Sequence, residues 1–204
     1  VWIGAGETKA INYVSKATKR LFDFYPNIKV HFLSGDAALV KEKLDNGLLD
    51  FGLVISPTNN KKYEMLRLPV KDTWGILLSD KHPLAKKEKI SPKDLADNIS
   101  IFTSQQSIGS NEISEWLGTS LDNFHFSGSY NLLYNASFLA EENAACIFAL
   151  DGIVNTNDRG LKFLPLEPSV QVDLNFIWKK NQPLSKAANK FLEILNDVIT
   201  NTYD

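Results

Sequence analysis

Four short clusters of small polar residues stand out in this 204-residue chain: Gly4-Ala5-Gly6-Glu7-Thr8, Ser34-Gly35-Asp36, Thr103-Ser104-Gln105-Gln106-Ser107 and Ser127-Gly128-Ser129. Hydroxyls, side-chain amides and the free N–H groups at the start of a following helix hold a polar or anionic group through dipoles, with no need for a charged side chain. The same residue types also cap helices and make turns, which is their everyday use. Capping accounts for any one of the clusters taken alone. All four follow predicted strands, and in open α/β sheets ligands bind outside the carboxyl ends of strands. A binding cleft is therefore the better account of the set.

Other chemistries lack their residues. A dinucleotide loop beginning Gly4-x-Gly6 needs a third glycine where this chain has Lys9. No Gly-Lys-Ser/Thr phosphate loop and no Gly-x-Ser-x-Gly nucleophile turn occur. His31, His82 and His125 are scattered, outside any HExxH helix and away from a cysteine pair, so no metal is expected. Asp36 reads as a helix cap and Asp50 as a strand-start residue bonded by nearby backbone amides. The single cysteine, Cys146, sits in Ala144-Ala145-Cys146-Ile147-Phe148 and reads as a small buried hydrophobe. No nucleophile–base pair is found, and neither an enzyme nor a cofactor is expected.

Composition narrows the class further. With 22 basic against 24 acidic residues the formal charge is −2, so this surface is not built to grip phosphates. No apolar run approaches the roughly 20 residues of a membrane helix, and no signal-peptide pattern opens the sequence. A hydrophobic content of 44% supports one domain or two small lobes.

The elements that must carry the clusters follow from periodicity. Ile11, Val14, Thr18, Leu21 and Phe22 share one helical face, with Thr8 as cap and Pro26 barring continuation. Ile28, Val30 and Phe32 alternate with Lys29 and His31 as a strand. Asp36 starts a short helix that Gly47 closes, and residues 49–55 form an apolar strand. Strand, helix, strand, helix, strand with short connections implies parallel strands and right-handed crossovers. After a strand at 74–78 and a helix start at Ser91-Pro92, a second series begins. It comprises strands at 99–102 and 124–126, helices at 111–117 and 131–142, and strands at 145–149 and 161–164. Val170, Val172, Leu174, Phe176 and Trp178 alternate as a long strand, and Ala188, Phe191, Leu195 and Val198 mark a last helix.

The order Gly4-x-Gly6-Glu7-Thr8, Phe24-Tyr25-Pro26, Ser34-Gly35-Asp36 and Gly47-x-Leu49-Asp50-x-Gly52-Leu53 resembles the effector-binding domain of LysR-type transcriptional regulators. So do Asp80-Lys81-His82-Pro83-Leu84-Ala85 and Ile90-Ser91-Pro92-x-Asp94-Leu95. The resemblance covers essentially the whole chain. It implies an α/β fold like the type 2 periplasmic binding proteins, with two Rossmann-like lobes and a central cleft. Lobe one would be residues 1–71 plus 180–204 and lobe two residues 72–179, with hinge crossovers near 68–73 and 174–178.

By position, the family's inducer-holding groups fall on Thr8, Ser34, Ser104, Gln105, Gln106, Ser107, Ser127, Gly128 and Ser129. The implied ligand is a small polar metabolite, with a carboxylate among the options, since no arginine lies in the clusters. The resemblance also implies a cytoplasmic homodimer or tetramer, built on the first helix and strand 28–33 against the partner's lobe two. DNA would be bound only through the family's N-terminal winged helix-turn-helix, which this sequence does not contain. An extracellular solute-binding protein of the same fold is the alternative, distinguished by what lies upstream of Val1. One departure is local: where the family often has Gly-x-Gly after a lobe-two helix, this chain has Glu142-Asn143-Ala144, and Asn143 can take the left-handed turn.

Overall fold

A computed structural model describes residues 1–55, 61–95, 99–104 and 111–201. The chain forms two compact units, Val1–Lys71 with Asp173–Asp204, and Asp72–Val172.

Unit 1 contains β1 (Trp2–Ala5), α1 (Ile11–Phe24), β2 (His31–Ser34), α2 (Ala37–Asp45) and β3 (Phe51–Ile55). It also holds the first part of β4 (Tyr63–Ser79) and, from later in the chain, most of β9 (Gln171–Lys179) and α5 (Lys186–Thr200). β1 lies between β2 and β3, parallel to both, and β9 runs antiparallel to β3. Alternation along β3 splits the core. Phe51 and Leu53 face α1 and α5, joining Val14, Leu21, Phe176, Phe191 and Leu195. Val54 faces α2, joining Val40, Leu44, Leu49 and Ile177. Gly4 and Gly52 let α2 approach the sheet. A Cβ on Gly4 would come within 2.6 Å of Leu49, and one on Gly52 within 2.7 Å of Val40.

Unit 2 contains the rest of β4, then β5 (Ile101–Ser104), α3 (Asn111–Leu117), β6 (Phe126–Tyr130), α4 (Leu133–Glu141), β7 (Cys146–Leu150) and β8 (Leu161–Pro165). β5 is parallel to β6 and β7, while β4 is antiparallel to β7 and β8. Leu77, Phe102, Ile147 and Ala149 pack under α4 with Leu133, Ala136 and Ala140.

Local signals act where their residues predicted. Asp36 caps α2, its carboxylate accepting from the Leu39 N–H at 2.8 Å. Gly47 follows at φ +69°, with the Leu48 N–H donating to the Lys43 carbonyl. Asn143 takes φ +53° and closes α4 with an Ala144 N–H bond to the Leu139 carbonyl, so no glycine is needed there. Asp50 accepts from the Trp2 N–H at 2.7 Å.

Three boundaries differ from the periodicity reading. β2 begins at His31 rather than Ile28, because the ladder to β1 starts at the Trp2–His31 pair. β4 is one strand of 17 residues passing through Pro69, where the sequence pattern marks only the strand at 74–78. β6 starts at Phe126, so His125 precedes it and Ser127, Gly128 and Ser129 lie inside the strand rather than after it. The pairing of Phe102 with Gly128 and Thr103 with Ser129 holds that segment extended.

Candidate functional site

In unit 1 two of the polar clusters meet. The parallel register sets Ala5 beside Ser34, and the Gly35 N–H donates to the Ala5 carbonyl at 3.0 Å. A Cβ on Gly6 would lie 3.8 Å from the Gly35 carbonyl oxygen, so the two turns run side by side past the strand ends. Thr8 is buried, and its hydroxyl oxygen accepts from the Ala10 N–H at 3.0 Å. That bond opens a tight turn, with the Ile11 N–H on the Thr8 carbonyl, before α1 begins. Thr8 thus closes a turn ahead of α1 and does not cap it as its position predicts, because the helix starts at Ile11 with Ala10 as its N-cap; Gly4 does packing work, and Ser34 stands exposed beside them.

In unit 2, Ser104 ends β5 and is half-buried, one residue beyond the buried Thr103. Gln105, Gln106 and Ser107 lie outside the described residues. Ser129 is exposed and pairs with Thr103 across the ladder. Ser127 is at the opposite end of the strands, where its hydroxyl accepts from Ser100 at 2.8 Å. Gly128 lies against the Phe102 ring, where a Cβ would come within 2.6 Å, so packing explains this glycine. The clusters that reach strand ends are therefore Thr8 with Ser34 in unit 1, and Thr103 with Ser104 in unit 2.

Reactive side chains are quiet. Cys146 Sγ lies 3.8 Å from His82 Nε2. Burial pushes the Cys146 thiol up to about 12 and lowers the His82 pKa. Both shifts favour the neutral forms, so no thiolate–imidazolium pair forms near neutral pH. His82 instead caps the turn at Pro83–Lys86, with Nδ1 accepting from the Leu84 N–H. Native protein treated with iodoacetamide at pH 8 is expected to keep Cys146 unmodified for hours, and to alkylate it within minutes once unfolded. Mass spectrometry reads the difference, and rapid native alkylation would refute the buried-thiol assignment. No group of three or more metal-ligating side chains occurs among the described residues.

Two aromatic surfaces are exposed, and one includes Phe22, which the helical period places with Val14 and Leu21 but which lies at the edge of that face, outside the core. On unit 1 a groove of ≈ 380 Å³ is lined by Ser15, Thr18, Lys19, Phe22, Asp23 and Phe32. Phe22 is 44% and Phe32 49% exposed. On unit 2, Tyr134 and Phe138 project from α4, with the Arg159 guanidinium 5.8 and 5.0 Å from their ring centres. Arg159 is braced by Glu141 and by the Ser137 hydroxyl.

Residues 1–200 match the family model described as the LysR substrate binding domain. The uncharacterized HTH-type transcriptional regulator YwbI of Bacillus subtilis (strain 168) is 27% identical over 179 residues, covering 83% of this chain and 56% of YwbI. A second B. subtilis regulator, YvbU, is 30% identical over 95 residues, covering 47% of this chain and 32% of YvbU. The chain thus spans about half or less of the regulators it matches. Among solved structures, the effector binding domain of QuiR in complex with shikimate superposes with a TM-score of 0.81 at 18% identity, covering 98% of this chain and 97% of that one. The reduced OxyR regulatory domain from Pseudomonas aeruginosa gives 0.72 at 14% identity, covering 100% and 96%. At these identities the likeness establishes the fold, of the type 2 periplasmic-binding class.

Proposed function

Because this chain belongs to the LysR substrate-binding domain family, we propose that it is the effector-sensing and oligomerisation domain of a bacterial transcriptional regulator. Its signal is a small polar metabolite, with a carboxylate permitted. Thr8 and Ser34 of unit 1 are the metabolite's candidate polar contacts, as are Ser104 and Ser129 of unit 2. The observation that carries the reading is the pairing of the Thr8 and Ser34 turns at the carboxyl ends of adjacent parallel strands. Their hydroxyls and backbone amides suit a polar group held by dipoles. DNA is contacted by a separate helix-turn-helix domain, in the cytoplasm. A ligand switches such a protein only by binding two arrangements with different affinity.

Oligomers form through α1 and β2. The exposed Phe22 and Phe32 beside the unit 1 groove, and the Tyr134–Phe138 pair on unit 2, are apolar surfaces suited to a second copy of this chain.

A thermal-unfolding scan against hydroxy acids, amino acids and sugar phosphates, with shikimate included because the QuiR domain was solved with it, tests the sensing reading. A true effector at 100 times its Kd adds about 2.7 kcal/mol. Thr8→Ala or Ser104→Ala is expected to remove most of that gain. A hit that both variants leave intact would place the ligand elsewhere.

A further inference from the structure

In unit 2 the hydroxyl oxygen of Thr103 and the indole Nε1 of Trp116 are buried without a hydrogen-bond partner among the described residues. Thr103 is 1% exposed and Trp116 9%. They share one face of the sheet. β5 pairs in parallel with β7 through Ile101–Cys146 and Phe102–Ile147, so the next residue, Thr103, lies alongside Phe148. Phe102 and Ile147 belong to the cluster under α4, and alternation turns Thr103 and Phe148 the other way. Trp116 covers that second face from α3, its ring 5.9 Å from Phe148 and nearly perpendicular to it.

Leaving such groups without a partner costs desolvation free energy that nothing among the described residues returns. Native structures keep few of them, and each asks for a cause. An indole N–H can only donate, while a hydroxyl both donates and accepts. Together they match an oxygen that accepts from Trp116 and bonds to Thr103.

We infer that Thr103 and Trp116 form a subsite for an uncharged oxygen of a small ligand, a hydroxyl or a carbonyl. The lack of charge follows from the surroundings. No lysine or arginine is among the buried residues described. A ligand carboxylate here would be buried with no cation among the described residues to offset it. If the ligand carries a carboxylate, it binds at the Thr8 and Ser34 turns instead. The ligand half of this inference rests on the sensing reading; the stability half does not.

The test uses the whole chain, 15N-labelled, and two probes of the same shape, acetamide and acetate. The Trp116 indole N–H signal is identified by its disappearance in Trp116→Phe. Acetamide is expected to move that signal saturably, acetate at equal concentration to leave it in place, and Thr103→Val to weaken the response roughly fivefold or more. Without ligand, Thr103→Val deletes an unpartnered polar atom at nearly constant shape, so it is expected to raise the denaturation midpoint. A lowered midpoint in Thr103→Val would mean that water or protein already satisfies its hydroxyl, overturning the subsite. So would the absence of a saturable acetamide response, and an acetate response equal to that of acetamide would overturn the uncharged assignment. All three failures leave the effector scan and its Thr8 and Ser104 variants to stand on their own result.

Discussion

Phe51→Ala is expected to lower the stability of unit 1 by about 3–5 kcal/mol. Phe51 is fully buried at the centre of the first core. Its ring lies 4.9 Å from Phe176, 5.8 Å from Phe191 and 6.3 Å from Trp178, so it ties β3 to β9 and to α5 at once. Removing the ring leaves a cavity walled by other rings, which cannot collapse without pulling β9 and α5 inward. Marginal stabilities of about 5–15 kcal/mol make that loss a large fraction of the whole. Urea denaturation monitored by Trp fluorescence measures it, with the Phe51→Ala curve repeated in a Trp178→Phe background to identify the unit 1 signal. A loss below about 1 kcal/mol would show that this aromatic cluster does not anchor the unit. Phe51→Leu should fall in between, because it refills part of the volume.

Phe22→Glu is expected to weaken self-association about 30-fold or more, the equivalent of about 2 kcal/mol for an aromatic at the centre of an interface. Phe22 and Phe32 both line the unit 1 groove, and a second copy covering it would desolvate a carboxylate at position 22, with the groove's Lys19 already paired to Asp23. The fold should be untouched, since the side chain is 44% exposed and Val14, Ala17, Thr18 and Leu21 make the buried face of α1. Light scattering across a dilution series reads the change, and Lys93→Glu serves as a control distant in sequence and exposed. If the parent chain is a monomer at every concentration, or Phe22→Glu associates as before, the groove is not the self-association surface.

Much of the candidate site was legible as residue types in the sequence, and little of it as geometry. The Gly4-x-Gly6-Glu7-Thr8 cluster looked like a single loop built for a ligand. The structure assigns its residues separate work: Gly4 admits α2, Thr8 caps a turn, and only the turns at Gly6 and Gly35 draw together. Ser127-Gly128-Ser129 looked like a strand-end turn and is part of β6, because pairing with β5 outweighs the turn preference of Ser and Gly. Thr103 was visible as one member of a polar run, but nothing near it announced Trp116. Thirteen positions and a change of element separate them, and their neighbourhood is set by Phe148, from a third element.

The sequence by itself determined what depends on neighbours a few residues away. That includes the alternating α/β order of both units, the buried faces of α1 and α5, the Asp36 cap, and the left-handed turns at Gly47 and Asn143. It also carried the family, since ordered short motifs survive where overall identity does not. Only the tertiary structure decided which polar clusters become neighbours, why Gly4, Gly52 and Gly128 lack side chains, and that β4 runs unbroken through Pro69. The same holds for the buried atoms left seeking a partner. The physical reason is that periodicity states which face of an element is buried, while strand register and the identity of the covering helix depend on packing between segments far apart in the chain.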